Sequence, residues 1–113
     1  MRRVYRIQTE GGRGPYDTYW GGYPADPTIH PNPRTEPPLQ WHHSMEGDWF
    51  FGFATQQQLK RWFYDPAWLA QMQEAGLRIT VWEVPAEYFR YSQTQAIFIR
   101  DHATLVCEQP LIH

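Results

Sequence analysis

Seven of the chain's ten prolines are Pro15, Pro24, Pro27, Pro31, Pro33, Pro37 and Pro38, and they are interleaved with Gly11, Gly12, Gly14, Gly21, Gly22 and Gly47. Proline removes a backbone donor and glycine favours turns, so helix and sheet should be sparse across residues 9–48. Regular elements must come from the few residues before this segment and from those after it. Disordered linkers are poor in rings, whereas this segment carries Tyr16, Tyr19, Trp20, Tyr23 and Trp41. A structureless stretch of this length is unusual inside a compact domain and is normally either functional or misassigned. We read 9–48 as a long ordered loop packed by its own rings, within one domain spanning 1–113.

The flanking residues follow ordinary rules. Arg3–Gln8 is strand-like. Trp49 to Ala54 is an apolar run too short for a free-standing helix, hence a buried strand. Thr55 has the character of a helix N-cap, with Gln58 at capping-box spacing. Leu59, Trp62 and Phe63 then make one apolar face. Asp65-Pro66 restarts a helix, because aspartate caps and proline suits the first turn. Trp68, Leu69, Met72 and Ala75 form its inner face, and Gly76 is a left-handed stop. Leu77–Val84 alternates and is β-branched, which predicts a strand that Pro85 ends. Residues 85–90 suit one helical turn, residues 95–100 and 104–108 suit strands, and Asp101-His102 suits a tight turn between the last two. The expected class is α+β, a mostly antiparallel sheet with one or two central helices and the long loop.

Composition narrows the function. The 19 aromatic residues (6 Trp, 7 Tyr, 6 Phe) outnumber the 16 Ile, Leu and Val, so the core should be built from rings. Those between Trp49 and Trp68, Tyr64 included, are expected inside. The net charge of −2 argues against nonspecific nucleic-acid binding, which draws its affinity from neutralising phosphates. There is no run of 18 apolar residues to span a membrane and no apolar run of a signal peptide at the N-terminus. The single cysteine, Cys107, excludes an internal disulfide and is expected to be a packed, inert thiol. These points favour a cytoplasmic setting.

No P-loop, Ser–His–Asp or metal-binding histidine pattern is present, and no metal is expected; His30, His42, His43, His102 and His113 suit ordinary positions. Gly11-Gly12-Arg13-Gly14 follows a strand without opening a helix. It suits either a flexible turn or a loop whose backbone a ligand can approach. Arg6 shares a strand face with Val4, which is odd for a buried core; either this is a solvated sheet face or the guanidinium there could fork onto a phosphate or carboxylate. Glu83 shares a face with Ile79 and Val81 and should point inward, where an unpaired carboxylate is costly. Pairing with Arg78, Arg90 or Arg100 would relieve that cost.

The order of elements, with Arg6 on the first strand, Gly11 to Tyr16 after it and Phe51 to Thr55 leading into a helix, resembles the small ADP-ribosyltransferase-like domains of bacterial toxins and phages. The resemblance implies NAD as cofactor. It implies that Arg6, Gly14, Tyr16 and Thr55 bind it, and that Gln95 or Glu83 occupies the catalytic acidic position. That family carries Glu in a Gln-x-Glu motif where this chain has Gln93-Thr94-Gln95. A neutral amide supplies no charge to stabilise an oxocarbenium-like transition state, so transferase activity should be weak or absent. No cofactor is otherwise demanded.

The leading expectation is therefore a small phage-type accessory protein that acts without catalysis, binding and blocking a host or phage protein. Interface anchors are enriched in Trp, Tyr and Arg, which the loop supplies through Arg13, Tyr19, Trp20, Tyr23 and Arg34.

Overall fold

A computed structural model of the chain describes residues 1–12, 14, 49–92 and 94–112. Among these residues, six strands and two helices run in the order β1 (Arg2–Gln8), β2 (Trp49–Gly52), α1 (Gln56–Trp62), α2 (Pro66–Glu74), β3 (Arg78–Val84), β4 (Phe89–Tyr91), β5 (Ala96–Ile99) and β6 (Thr104–Gln109). Short 3₁₀ turns cover Ala86–Tyr88 and Arg100–His102. The class is α+β, but the strands make two three-stranded antiparallel sheets, β1-β3-β6 and β2-β5-β4, where one had been expected.

The sequence builds the helices as expected. The Thr55 hydroxyl accepts from Gln58 N at 3.1 Å, and Gln58 Oε1 accepts from Ala54 N at 2.9 Å, a capping box reaching one residue further back than usual. Asp65 Oδ1 accepts from Ala67 N at 3.0 Å, with Pro66 in the first turn. The end of α2 is a Schellman motif. Gly76 has φ +94°, its N–H reaches Gln73 O, and Leu77 N reaches Met72 O. The accompanying apolar contact is present, since Leu77 and Met72 share a core cluster. Thr55→Ala should cost about 1 kcal/mol of stability, read as a lowered urea midpoint. An unchanged midpoint would mean that packing alone holds α1.

Strand alternation places two cores on opposite faces of the first sheet. Ile7 and Ile79, with Tyr5 beside them, pack on Phe53, Leu59, Trp62, Phe63, Met72 and Leu77. Phe53 meets Trp62 and Phe63 edge-on, at centroid distances of 5.6 and 6.0 Å. On the other face Val4 and Val84, flanked by Trp82, pack on Phe89, Ala96 and Phe98 of the second sheet. Among the described residues the sheets meet at one bridge, where Tyr5 and Phe53 exchange two 2.8 Å backbone hydrogen bonds.

Several expectations need correction. Tyr64 is 58% exposed, and Trp49, Phe50, Phe51 and Trp68 are half-buried, so the ring core is smaller than composition suggested. Ala75 is exposed at the helix end. Cys107 is exposed and not packed. It lies on β6, whose outer edge pairs with no described strand and whose first five residues are all exposed. β4 was not foreseen, because three residues carry no readable period.

A two-arginine clamp at the root of the glycine loop

Arg6 is on the β1 face that carries Val4 and Gln8, and the second sheet closes over it, leaving 8% exposed. Each of its three nitrogens donates within the chain. Nε donates to Gln8 Oε1 at 3.0 Å, Nη1 to Phe51 O at 2.7 Å and Nη2 to Gly12 O at 3.2 Å. On the neighbouring strand the Thr80 hydroxyl donates to Arg6 O at 2.7 Å and accepts from Trp82 Nε1 at 2.8 Å, fixing the backbone from which the guanidinium extends.

Arg100 arrives from the end of β5. Its Nη1 donates to the same Gly12 carbonyl at 3.0 Å. Its Cζ stands 3.8 Å from the Phe50 ring centroid, with Arg6 Cζ at 5.1 Å from that ring. Cation–π attraction of this kind contributes about 0.5–2 kcal/mol, more as water is excluded. The terminal nitrogens on Gly12 O are at most about 6 Å apart, within the range over which like charges oppose one another. Burial first, and the Arg100 charge second, push the Arg6 guanidinium down to about 10. Among the described residues, no carboxylate pairs with either arginine.

The glycines explain how two guanidiniums fit. A Cβ on Gly12, at φ +89°, would stand 2.6 Å from Arg100 Nη1, and one on Gly14 would stand 3.1 Å from Arg6 Nη2. The glycine-rich stretch therefore does permit close approach to the backbone, and what approaches it is the chain's own arginines.

The other candidates are placed separately. Glu83 does share the Ile79–Val81 face, but it lies at the strand end, half-exposed, where the register sets it opposite Arg3. The two form a 3.3 Å ion pair, so Glu83 is not the inward carboxylate expected, and its partner is none of the three arginines considered. Arg78 instead pairs with Glu108 at 2.8 Å. Thr55 uses its hydroxyl as the α1 cap. Gln95 is 1% exposed at the start of β5, its carbonyl accepting from Ser92 N at 2.8 Å. Gln58 Nε2 donates to Ser92 O at 3.0 Å, which ties the start of α1 to the β4–β5 turn. Gln95 and Arg100 thus flank β5 at opposite ends. Arg13, Tyr16, Tyr19, Trp20, Tyr23, Arg34, Gln93 and the histidines at 30, 42, 43 and 113 lie outside the described residues. His102 stacks on Tyr88 at 3.9 Å.

Arg100 is the residue that sequence reading missed as a site residue. Its one signal was a cation directly following the wholly buried run Ala96–Ile99. Among the described residues, no three His, Cys, Asp or Glu side chains converge as metal ligands would, and no helix is long and apolar enough to cross a membrane.

A family model described as "Bacteriophage T4 Y00F protein" matches residues 1–112. No curated protein and no solved structure matches the chain.

Proposed function

The chain belongs to the bacteriophage T4 Y00F family, and from that premise we propose that it is a non-enzymatic binding module. Its 13–48 segment would engage and block a host or phage protein. The observation that carries this reading is the Arg6 fork. By holding Gly12 O and Phe51 O with adjacent nitrogens, it draws together the two points from which that segment leaves and rejoins the sheets. Binding residues are commonly carried on loops positioned by a rigid scaffold. This segment's sequence holds the residue types that anchor interfaces, namely Arg13, Tyr19, Trp20, Tyr23 and Arg34. A phage accessory protein of this size needs no more than such a surface to inhibit a larger partner.

The test is affinity capture from extracts of infected bacteria with wild-type protein and with a Tyr19→Ala/Trp20→Ala variant. Recovery of the specific partner should fall about tenfold or more, the loss typical when anchor rings are truncated. An unchanged partner set at unchanged yield would rule out the segment as the contact surface.

A second reading is an ADP-ribosyltransferase-like domain that binds NAD or a related nucleotide. It is favoured by the placement of Arg6 on β1 beside Gly12 and Gly14, with Thr55 at the β2–α1 junction. Its weakness is that Arg6 and Thr55, two of the groups expected to hold NAD, are bonded within the chain. Calorimetric titration with NAD, giving no heat at millimolar ligand, would dismiss it.

A further inference from the structure

We propose that Arg6 and Arg100 together form a binding site for a phosphate-type oxyanion, with Arg100 as the residue that receives it. Two cations share one neutral carbonyl oxygen, and one of them is buried. Taking a charge out of water is costly unless it is paired and hydrogen-bonded. Here the described electron-rich partners are Gln8, two backbone carbonyls and the Phe50 ring, all of them neutral. Among the described residues no negative group offsets the mutual repulsion of the guanidiniums, and a bound anion would offset it.

The donor inventory agrees. A guanidinium has five N–H groups and no acceptor. Arg6 commits three nitrogens to the chain, whereas Arg100 commits Nη1 alone to a hydrogen bond. Arg100 is half-buried, and its Nε and Nη2 make no hydrogen bond to a described residue, while the buried Arg6 reinforces the local positive potential. Phe50 and Gly12 hold the Arg100 plane in place, which lowers the entropy lost when a forked donor takes a tetrahedral oxyanion. Gly12 permits that placement, since a Cβ there would stand 2.6 Å from Arg100 Nη1 and the guanidinium would have to shift.

The inference is independent of the binding-segment reading, because one is tested by partner capture and the other by a small anion. The thermal midpoint of the full chain is compared in sodium phosphate and in sodium chloride at equal ionic strength. Phosphate at several times its dissociation constant should raise the midpoint by about 4 °C. Arg100→Gln should abolish most of that rise while keeping the wild-type circular dichroism spectrum. Equal midpoints in the two salts, or an equal rise in the variant, would overturn the site. A second readout needs no variant: the Nε–H resonances of Arg6 and Arg100 in ¹⁵N-arginine-labelled protein should move with phosphate and not with chloride. Unmoved resonances would likewise overturn it. Adenosine monophosphate provides a further arm. Tighter binding than inorganic phosphate identifies the phosphoryl group of a nucleotide as the ligand, and equal or weaker binding identifies the free anion.

Discussion

Arg6→Met should destabilise the fold by about 3 kcal/mol, lowering the thermal midpoint by roughly 12 °C for a domain of this size. The side chain is nearly enclosed and bonds three acceptors: Gln8 Oε1 and Phe51 O, which would lose this donor, and Gly12 O, which would keep Arg100 Nη1. Each acceptor left buried without a donor costs about 1–3 kcal/mol. Relief of the Arg6 desolvation and of its repulsion with Arg100 offsets part of this, which is why the net is less than the sum of three lost bonds. Arg6→Lys separates charge from geometry. An ammonium keeps the cation but cannot span the three acceptors as a planar fork does, so about 2 kcal/mol should still be lost. Urea denaturation of both variants checks this. If lysine restored full stability, charge and not the fork would be what holds Gly12 to Phe51. If the methionine variant lost less than about 1 kcal/mol, the clamp would be incidental to folding.

Gly52→Val should be of similar size, about 3 kcal/mol, at the upper end of what overpacking usually costs. Gly52 is buried where β2 crosses β1, and even a Cβ would stand 2.7 Å from Val4 Cγ1 and 3.0 Å from Tyr5 O. Val4 is itself fully buried and stiff at χ1, and Tyr5 O is backbone, so neither can yield cheaply. The strands would have to separate, and the Tyr5–Phe53 pair that joins the two sheets is the first contact to strain. Gly52→Ala should cost about 2 kcal/mol by the same argument. A smaller loss would mean that the second sheet can slide on the first without penalty. Amide exchange at Tyr5 and Phe53 would report the opening directly, rising in both variants before the rest of either sheet is affected.

Where local chemistry dictates structure, the residues announced it. Thr55, Asp65-Pro66 and Gly76 each carry a constraint satisfied within a few residues, and each occupies the expected role. Leu59, Trp62 and Phe63 are buried because helical spacing alone puts them on one side. Arg6 could be singled out because a cation sharing a face with Val4 conflicts with the pattern around it. Its partners could not be read, since Phe51 and Gly12 reach it only when β2 folds against β1. Glu83 misled for a related reason. Alternation gave its face correctly, but the edge of helix cover and the register that sets it opposite Arg3 are tertiary quantities. Cys107 misled because a strand pattern does not reveal whether anything will cover the strand.

By itself the sequence determined the α+β class, the caps and stops of both helices, and most of the strands, because turn chemistry and side-chain period act over a few residues. Only the tertiary structure decided that the strands divide into two sheets, that Gly52 is where they cross, and that Arg100, 88 residues from Gly12, shares a carbonyl with Arg6. Those outcomes depend on which surfaces meet after the chain has closed on itself. Nothing in the local pattern encodes the distance between two guanidiniums brought together from opposite ends of the chain.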